Sequence, residues 1–100
     1  MTPTYETTEP FDADFDALPP ALRKRFLRSV DHLVEDLSSR RGLRPGLRVK
    51  RVQGSDGAWE MTYAPDGRAV FGYGDEVIPG QTHVIWRRMP PAGQICANSD

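Results

Sequence analysis

The chain has little of what disulfide scaffolds and metal sites need. It contains one cysteine, Cys96, and two histidines, His32 and His83, in 100 residues. A single cysteine cannot form an internal disulfide, and these three residues do not show the spacing of metal ligands. No glycine-rich phosphate loop follows a predicted strand either. We therefore expect no metal ion and no other cofactor.

Long apolar runs and a strong net charge are also missing. No run approaches the roughly 18 apolar residues that a membrane-spanning helix needs. The segment from Met1 to Glu6 lacks the basic and then apolar pattern of a secretion signal. We expect a cytoplasmic protein that makes no membrane contact. Because Lys and Arg number 13 against 14 Asp and Glu, the formal net charge is -1 and any binding of anions must be local.

The basic residues are nevertheless concentrated in one segment. Within it, no acidic residue interrupts Arg40, Arg41, Arg44, Arg48, Lys50 and Arg51. Two interpretations remain open from the sequence: a solvated loop that leads into a strand, or a functional basic patch.

Hydrophobic spacing predicts an α+β fold. A short strand is expected at Thr4 to Thr8, a short helix over residues 11 to 18, and a longer helix whose apolar stripe runs from Leu22 to Leu37. Pro19 and Pro20 separate the two helices. The result is a short N-terminal strand followed by a helical hairpin.

The second half of the chain predicts an antiparallel meander of three or four strands. The expected strands are residues 47 to 53, 58 to 64, 68 to 73 and 82 to 88. Short turns at Ser55-Asp56-Gly57 and Pro65-Asp66-Gly67 require antiparallel neighbours, and both helices should pack on one face of the sheet. We predict a single domain over residues 1 to 89 and an irregular tail over residues 90 to 100.

The hairpin around Pro65-Asp66-Gly67 places a cation beside a carboxylate. A three-residue loop would pair Met61 with Phe71, and alternation would then put Glu60 and Arg68 on the same, solvent-facing side of the sheet. A fixed guanidinium beside a carboxylate and near other cations is suited to handling phosphate.

Aromatic residues occupy the opposite side of the same hairpin, where the chain places Trp59, Tyr63, Phe71 and Tyr73. Base stacking is one use for such a face, and core packing is the interpretation that their shared side favours. We therefore assign them first to the core.

Cleavage of a phosphodiester without a metal requires a base, a cation that stabilises the charged phosphorus, and an acid for the leaving oxygen. Arg68 is the candidate cation and Glu60 the candidate base. His83 is the candidate acid because imidazole titrates near neutrality, although strand alternation does not decide which face it occupies. The candidate residues for binding neighbouring phosphates are Arg48, Lys50, Arg51, Arg87 and Arg88.

The order of these elements resembles the RelE/ParE superfamily of bacterial toxins. The resemblance covers residues 4 to 89 and includes the Leu22 to Leu37 stripe, the Arg68-Ala69-Val70-Phe71 strand and the final strand from His83 to Arg88. It implies mRNA cleavage on the ribosome, as in the RelE branch, or inhibition of DNA gyrase, as in the ParE branch. It also implies a cognate antitoxin as partner, and it assigns the scissile phosphate to Arg68.

The chain departs from the RelE pattern after its last strand. Many RelE-like chains carry a His or Arg and then a Tyr in this stretch, whereas residues 89 to 95 here have no titratable side chain. The alternative function is therefore a non-enzymatic interaction protein with the same fold. Such a protein would be either a gyrase inhibitor or a catalytically impaired toxin that binds its antitoxin.

Overall fold

A computed structural model describes residues 3 to 55 and 57 to 90. Two helices and five strands follow one another in the order β1 (Thr4–Thr7), α1 (Glu9–Asp16), α2 (Pro20–Ser39), β2 (Lys50–Arg51), β3 (Ala58–Ala64), β4 (Gly67–Gly74) and β5 (His83–Arg88). The strands form one sheet in the order β1-β5-β4-β3-β2. β1 runs parallel to β5, and every other neighbouring pair is antiparallel. Asp56 of the first predicted turn, Cys96 and nearly all of the predicted tail lie outside the described residues.

The helices begin where local chemistry favours it. The Thr8 hydroxyl caps α1 by accepting a hydrogen bond from the Phe11 amide at 3.2 Å. Pro20 opens α2, since a proline in the first turn removes only an amide that has no helical partner. At the other end of α2, Arg40 adopts the left-handed conformation with φ 58°. There the chain turns away from the helix axis.

The core lies between the two helices and one face of the sheet, which we call the inner face. Phe26 of α2 packs against Trp86 of β5 with ring centroids 5.2 Å apart, and against Tyr63 of β3 at 5.5 Å. Met61 and Phe71 are fully buried there. Burial of side chains of this size contributes about 1.5–3 kcal/mol each. Among the described residues no helix covers the opposite face, which we call the outer face.

The hairpin between β3 and β4 confirms the predicted faces but not the predicted pairing. Met61 lies opposite Ala69 instead of Phe71, and Ala64 lies opposite Gly67, so the turn has two residues. The Tyr63 ring lies so close to Gly67 that a Cβ there would be 2.6 Å from the ring. Gly67 is therefore the first residue of β4 instead of a loop residue. Because the pairing shifts by two residues, every side chain keeps its face.

The strand that contains the basic residues is shorter than predicted. Only Lys50 and Arg51 form β2, and Pro45–Leu47 form a single 3₁₀ turn. Arg48 has φ 49°, a left-handed conformation that an extended strand does not allow. The backbone at Arg48 therefore delays the strand until Lys50.

Candidate functional site

Arg68 lies on the outer face at the turn end of β4, opposite Thr62. Its Nη1 atom donates to the carbonyl oxygens of Gly67, Pro65 and Ala64 at 3.1, 3.3 and 3.4 Å. These contacts hold the guanidinium at the turn while 29% of the side chain stays exposed. Arg68 is therefore a positioned and accessible cation.

Glu60 lies beside Arg68 and is flanked by a second cation. Its Oε1 atom is 3.8 Å from Arg68 Nε and 3.8 Å from Lys50 Nζ. Both distances exceed hydrogen-bonding range, so the attraction is purely electrostatic. The carboxylate side chain is only 7% exposed, whereas that of Lys50 is 70% exposed. We call Lys50, Glu60 and Arg68 the outer-face cluster, and two positive charges against one negative leave it with a local excess of positive charge.

Arg87 lies on the same face, across the backbone of β4 at Gly72. A Cβ atom on Gly72 would lie 3.0 Å from both Nε and Nη2 of Arg87, and 3.0 Å from the carbonyl oxygen of Gly57. Only a glycine at residue 72 leaves room for the Arg87 guanidinium to lie this close to the β4 backbone. Sequence reasoning missed this role of Gly72, and the signal for it was a glycine in the interior of a predicted strand.

Two of the predicted RNA-binding arginines are held elsewhere. Arg88 Nε donates to Asp14 Oδ2 of α1 at 2.8 Å. Partial burial disfavours the Asp14 carboxylate, but hydrogen bonds from Arg88 and the Met89 amide outweigh it and hold the pKa of Asp14 below its ordinary value. Arg51 lies on the inner face, over the ring of Trp59. Of the five predicted residues, Lys50 and Arg87 share the outer face with Arg68, and Arg48 is exposed in the turn before β2.

The earlier part of the basic segment has a structural role. Asp36 accepts hydrogen bonds from the backbone amide, Nε and Nη2 of Arg44 at 2.8–2.9 Å. These bonds from Arg44 lower the pKa of Asp36 to about 2. Hydrogen bonds to Asp36 and Glu35 in turn raise the pKa of Arg44. Arg40 donates to the Gly80 carbonyl oxygen at 2.8 Å.

The structure does not bring His83 to the outer-face cluster. His83 pairs with Gly74, six residues along β4 from Arg68, which corresponds to about 20 Å. Its ring is buried, with Nδ1 2.8 Å from the Thr4 hydroxyl and Nε2 2.8 Å from Glu6 Oε1. The register between β4 and β5 thus places the predicted acid at the far end of the sheet.

Neither a metal centre nor a membrane span is found in the part of the chain that the structure describes. Residues 3 to 55 and 57 to 90 contain no group of three or more His, Cys, Asp or Glu side chains arranged to hold a metal ion. No helix within these ranges combines the length and the apolar character needed to cross a membrane.

An apolar groove of about 440 Å³ lies between α2 and the β1 edge of the sheet. Tyr5 and Leu27 on its rim are 70% and 51% exposed. Its walls include Val30, Val34 and Leu37 of α2 and Val84 of β5. A large exposed apolar surface of this kind is typical of a binding site for another protein segment.

Comparison with known proteins identifies solved structures that share this architecture. No protein-family model and no curated protein sequence matches the chain. Among solved structures, the chain is similar to the archaeal RelE–RelB complex from Pyrococcus horikoshii OT3, with a TM-score of 0.64 at 18% identity over 95% of this chain and 100% of that one. The E. coli DinJ–YafQ toxin-antitoxin complex gives a TM-score of 0.58 at 16% identity over 89% and 91%. The YoeB dimer from Staphylococcus aureus gives 0.62 at 10% identity over 88% and 94%.

These similarities confirm the predicted α+β architecture, with its N-terminal strand, helical hairpin and antiparallel meander. They extend over nearly the whole described chain, so they concern the complete arrangement of helices and sheet. This protein has the fold of the RelE-like toxins.

Proposed function

We propose that this protein is the toxin of a type II toxin-antitoxin module and that it inhibits translation in the cytoplasm by cutting mRNA on the ribosome. The observation that carries the proposal is the outer-face cluster, in which Arg68 and Lys50 flank the buried carboxylate of Glu60 on the sheet face that the helices leave free. RelE-like folds with 88% or more of this chain covered support the same assignment.

Glu60 is the proposed base. In metal-independent cleavage the ribose 2′ oxygen attacks the phosphorus, and the bond from phosphorus to the 5′ oxygen breaks. Glu60 takes the proton of the 2′ hydroxyl, and the exposed Lys50 side chain moves aside as the RNA enters.

Arg68 and Arg87 are the proposed phosphate ligands. The negative charge that develops on the pentacoordinate phosphorus lies beside the Arg68 guanidinium, which the turn carbonyls hold in place. Arg87 binds a neighbouring phosphate farther along the outer face. His83 lies about 20 Å along β4 from Arg68, so the leaving 5′ oxygen takes its proton from water.

The proposed partner is an antitoxin with an amphipathic segment. The RelE structure from Pyrococcus horikoshii contains RelB, and the YafQ structure contains DinJ. In this chain the groove between α2 and β1 offers an apolar surface with exposed Tyr5 and Leu27 at its rim. An antitoxin helix or strand with apolar residues on one side fits that groove.

Expression in a bacterial host tests the function. Wild-type protein should arrest growth, and the Arg68→Ala variant should restore it, whereas Arg28→Gln, which removes an exposed cation from α2, should remain toxic. In a purified translation reaction with a defined message, wild-type protein should produce mapped cut ends. Glu60→Gln should cut about 10²–10⁴-fold more slowly, the range typical of a lost general base. Arrest that survives Arg68→Ala would remove this residue from the mechanism.

A second candidate function is binding without cleavage, as a gyrase inhibitor or as an impaired toxin that retains its antitoxin. The specific observation in its favour is that the predicted acid His83 is buried and engaged by Thr4 and Glu6 at both ring nitrogens. An uncut message together with inhibited DNA supercoiling would select the gyrase inhibitor. An uncut message with normal supercoiling and a bound antitoxin would select the impaired toxin.

A further inference from the structure

Three side chains from three adjacent strands meet on the inner face. The guanidinium carbon of Arg51 on β2 lies 5.7 Å from the ring centroid of Trp59 on β3. The Trp59 ring meets Tyr73 of β4 with centroids 6.4 Å apart and planes inclined at 62°. We call these three residues the stacking corner.

The stacking corner is more exposed than the middle of the inner face, although Trp59 itself is partly buried. Tyr73 is 42% exposed and Arg51 is also exposed, whereas Met61 and Phe71 on the same face are fully buried. The helices therefore protect the middle of this face and leave the corner accessible. The Tyr73 hydroxyl is a neutral hydrogen-bond donor and acceptor at physiological pH, and burial raises its pKa further.

The chemistry of the corner suits an unpaired nucleobase. The Arg51 guanidinium lies over the Trp59 ring and is exposed, and RNA bases stack on aromatic rings and on arginine planes. The Tyr73 ring supplies a second wall at an angle to the first. The exposed cations Arg48 and Arg51 favour a ligand that carries phosphates.

Charge also sets the direction from which such a ligand approaches. Asp75 and Glu76 follow β4 beyond Tyr73 and repel phosphate, although Glu76 Oε1 is engaged by the Gly80 amide at 2.9 Å. On the other side lies β2, the last strand of the sheet, where Lys50 faces the outer side and Arg51 the inner side. A strand of RNA that crosses this edge contacts both residues.

We propose that the stacking corner binds an unpaired base of single-stranded RNA, whose chain continues across the β2 edge toward the outer-face cluster. The proposal deepens the proposed function and rests on it for the choice of RNA. It gives the protein a second RNA contact, which recognises a base plane instead of the reacting phosphate.

Quenching of tryptophan fluorescence tests this contact directly. Trp59 and Trp86 are the only tryptophans, and Trp86 is 4% exposed, so RNA at the corner should quench the emission of Trp59. The probes are a short single-stranded RNA and an abasic RNA backbone of the same length. The abasic probe should bind about tenfold more weakly, as expected for one lost stacking contact, and Trp59→Phe should abolish the quenching.

Variants separate stacking from charge. Arg51→Lys keeps the positive charge but removes the planar guanidinium, so this variant should bind the normal and the abasic RNA with nearly equal affinity. Tyr73→Ala should weaken binding of the normal RNA, and Tyr73→Phe should restore most of it. Arg28→Gln, the matched loss of a cation on α2, should leave the preference for the normal RNA unchanged.

The outcomes distinguish this proposal from the proposed function. Equal affinity of wild-type protein for both probes, or undetectable binding of either, would overturn the stacking contact even if wild-type protein still cuts ribosome-bound mRNA. Conversely, base-dependent quenching of a wild-type protein that cuts no ribosome-bound message would leave the contact standing and defeat the nuclease function. If variants of the stacking corner bind RNA normally but are no longer neutralised by the antitoxin, the corner would be a site for antitoxin binding instead.

Discussion

At the scale of single residues, Glu60 shows how placement gives a common side chain a chemical role. An acid on a strand surface is ordinarily solvated, yet this one is buried between Lys50 and Arg68, each 3.8 Å away. Two cations offset the cost of removing the carboxylate from water. Because neither cation is within hydrogen-bonding distance, the carboxylate oxygens are not hydrogen-bonded to Lys50 or Arg68, as the proposed mechanism requires.

Gly72 offers a prediction at this scale. A Cβ at residue 72 displaces the Arg87 guanidinium, so Gly72→Ala should lower the rate of message cleavage by about tenfold or more while the protein stays folded. Single-turnover cleavage of ribosome-bound mRNA, with thermal unfolding measured in parallel, checks it.

Two controls belong with this substitution. Gly46→Ala should have no effect, because a Cβ there meets no atom within 4 Å. In an Arg87→Ala background, Gly72→Ala should cause a much smaller loss, since only the close approach to the Gly57 carbonyl oxygen remains. A full additional loss in that background would show that Gly72 acts independently of Arg87.

At the scale of elements, the end of α2 depends on one carboxylate. Asp36 lies in the last turn, where the helix dipole disfavours an acid, yet it accepts three hydrogen bonds from Arg44. These bonds reverse the chain after the helix and direct it toward β2. Four residues of the basic segment therefore have two kinds of role. Arg40 and Arg44 fix the loop after α2. Lys50 lies on the outer face of the sheet and Arg51 on the inner face.

The pH dependence of stability follows from the same residue. The folded-state pKa of Asp36 is about 2, below its ordinary value of 3.8. A lowered folded-state pKa contributes stability that is complete above the ordinary value and is lost as the pH falls toward the folded value. Asp36→Asn should therefore lower Tm by a few degrees at neutral pH and flatten the change in stability between about pH 4 and pH 2.

Thermal unfolding followed by circular dichroism over that pH range checks the prediction. Asp31→Asn is the matched control, since Asp31 is an exposed acid on the same helix. Equal pH profiles for wild type and Asp36→Asn would show that the bonds from Arg44 do not stabilise the folded chain.

At the scale of the whole molecule, residues from both ends of the chain assemble the binding surfaces. β1 joins the sheet by pairing in parallel with β5, and the Thr4–His83 hydrogen bond spans 79 residues of sequence. This pairing completes the groove against α2. The proposed cleavage site and the proposed antitoxin groove therefore lie on opposite sides of one sheet, so an antitoxin in the groove would not enter the outer-face cluster.

A substitution at Leu27 tests whether the proposed cleavage and antitoxin binding use separate surfaces. It is 51% exposed on the groove rim, so Leu27→Ser should hardly change stability but should weaken antitoxin binding by about tenfold, because an apolar side chain no longer enters the interface. Isothermal titration with the cognate antitoxin measures the affinity, and growth arrest by the same variant should persist. Arg28→Gln, next in sequence and exposed but not part of the groove lining, serves as the control. Unchanged affinity would move the antitoxin away from the groove.

Much of the fold was predictable because its signals are local. The stripe from Leu22 to Leu37 predicted α2, and the alternation from Ala58 to Tyr73 assigned Glu60 and Arg68 to one face before any pairing was known. The predicted register was wrong by two residues, but Glu60 and Arg68 stayed on the same face because side chains alternate with a period of two.

The sequence by itself therefore determined the elements and their faces, because helical and strand periodicities are properties of neighbouring residues. The tertiary structure decided which charges converge. It brought Lys50 and Arg87 to the face of Arg68, tied Arg88 to Asp14, and placed His83 about 20 Å away beside Thr4 and Glu6. Strand register and the packing of α1 set those distances, and both depend on contacts between residues far apart in the chain.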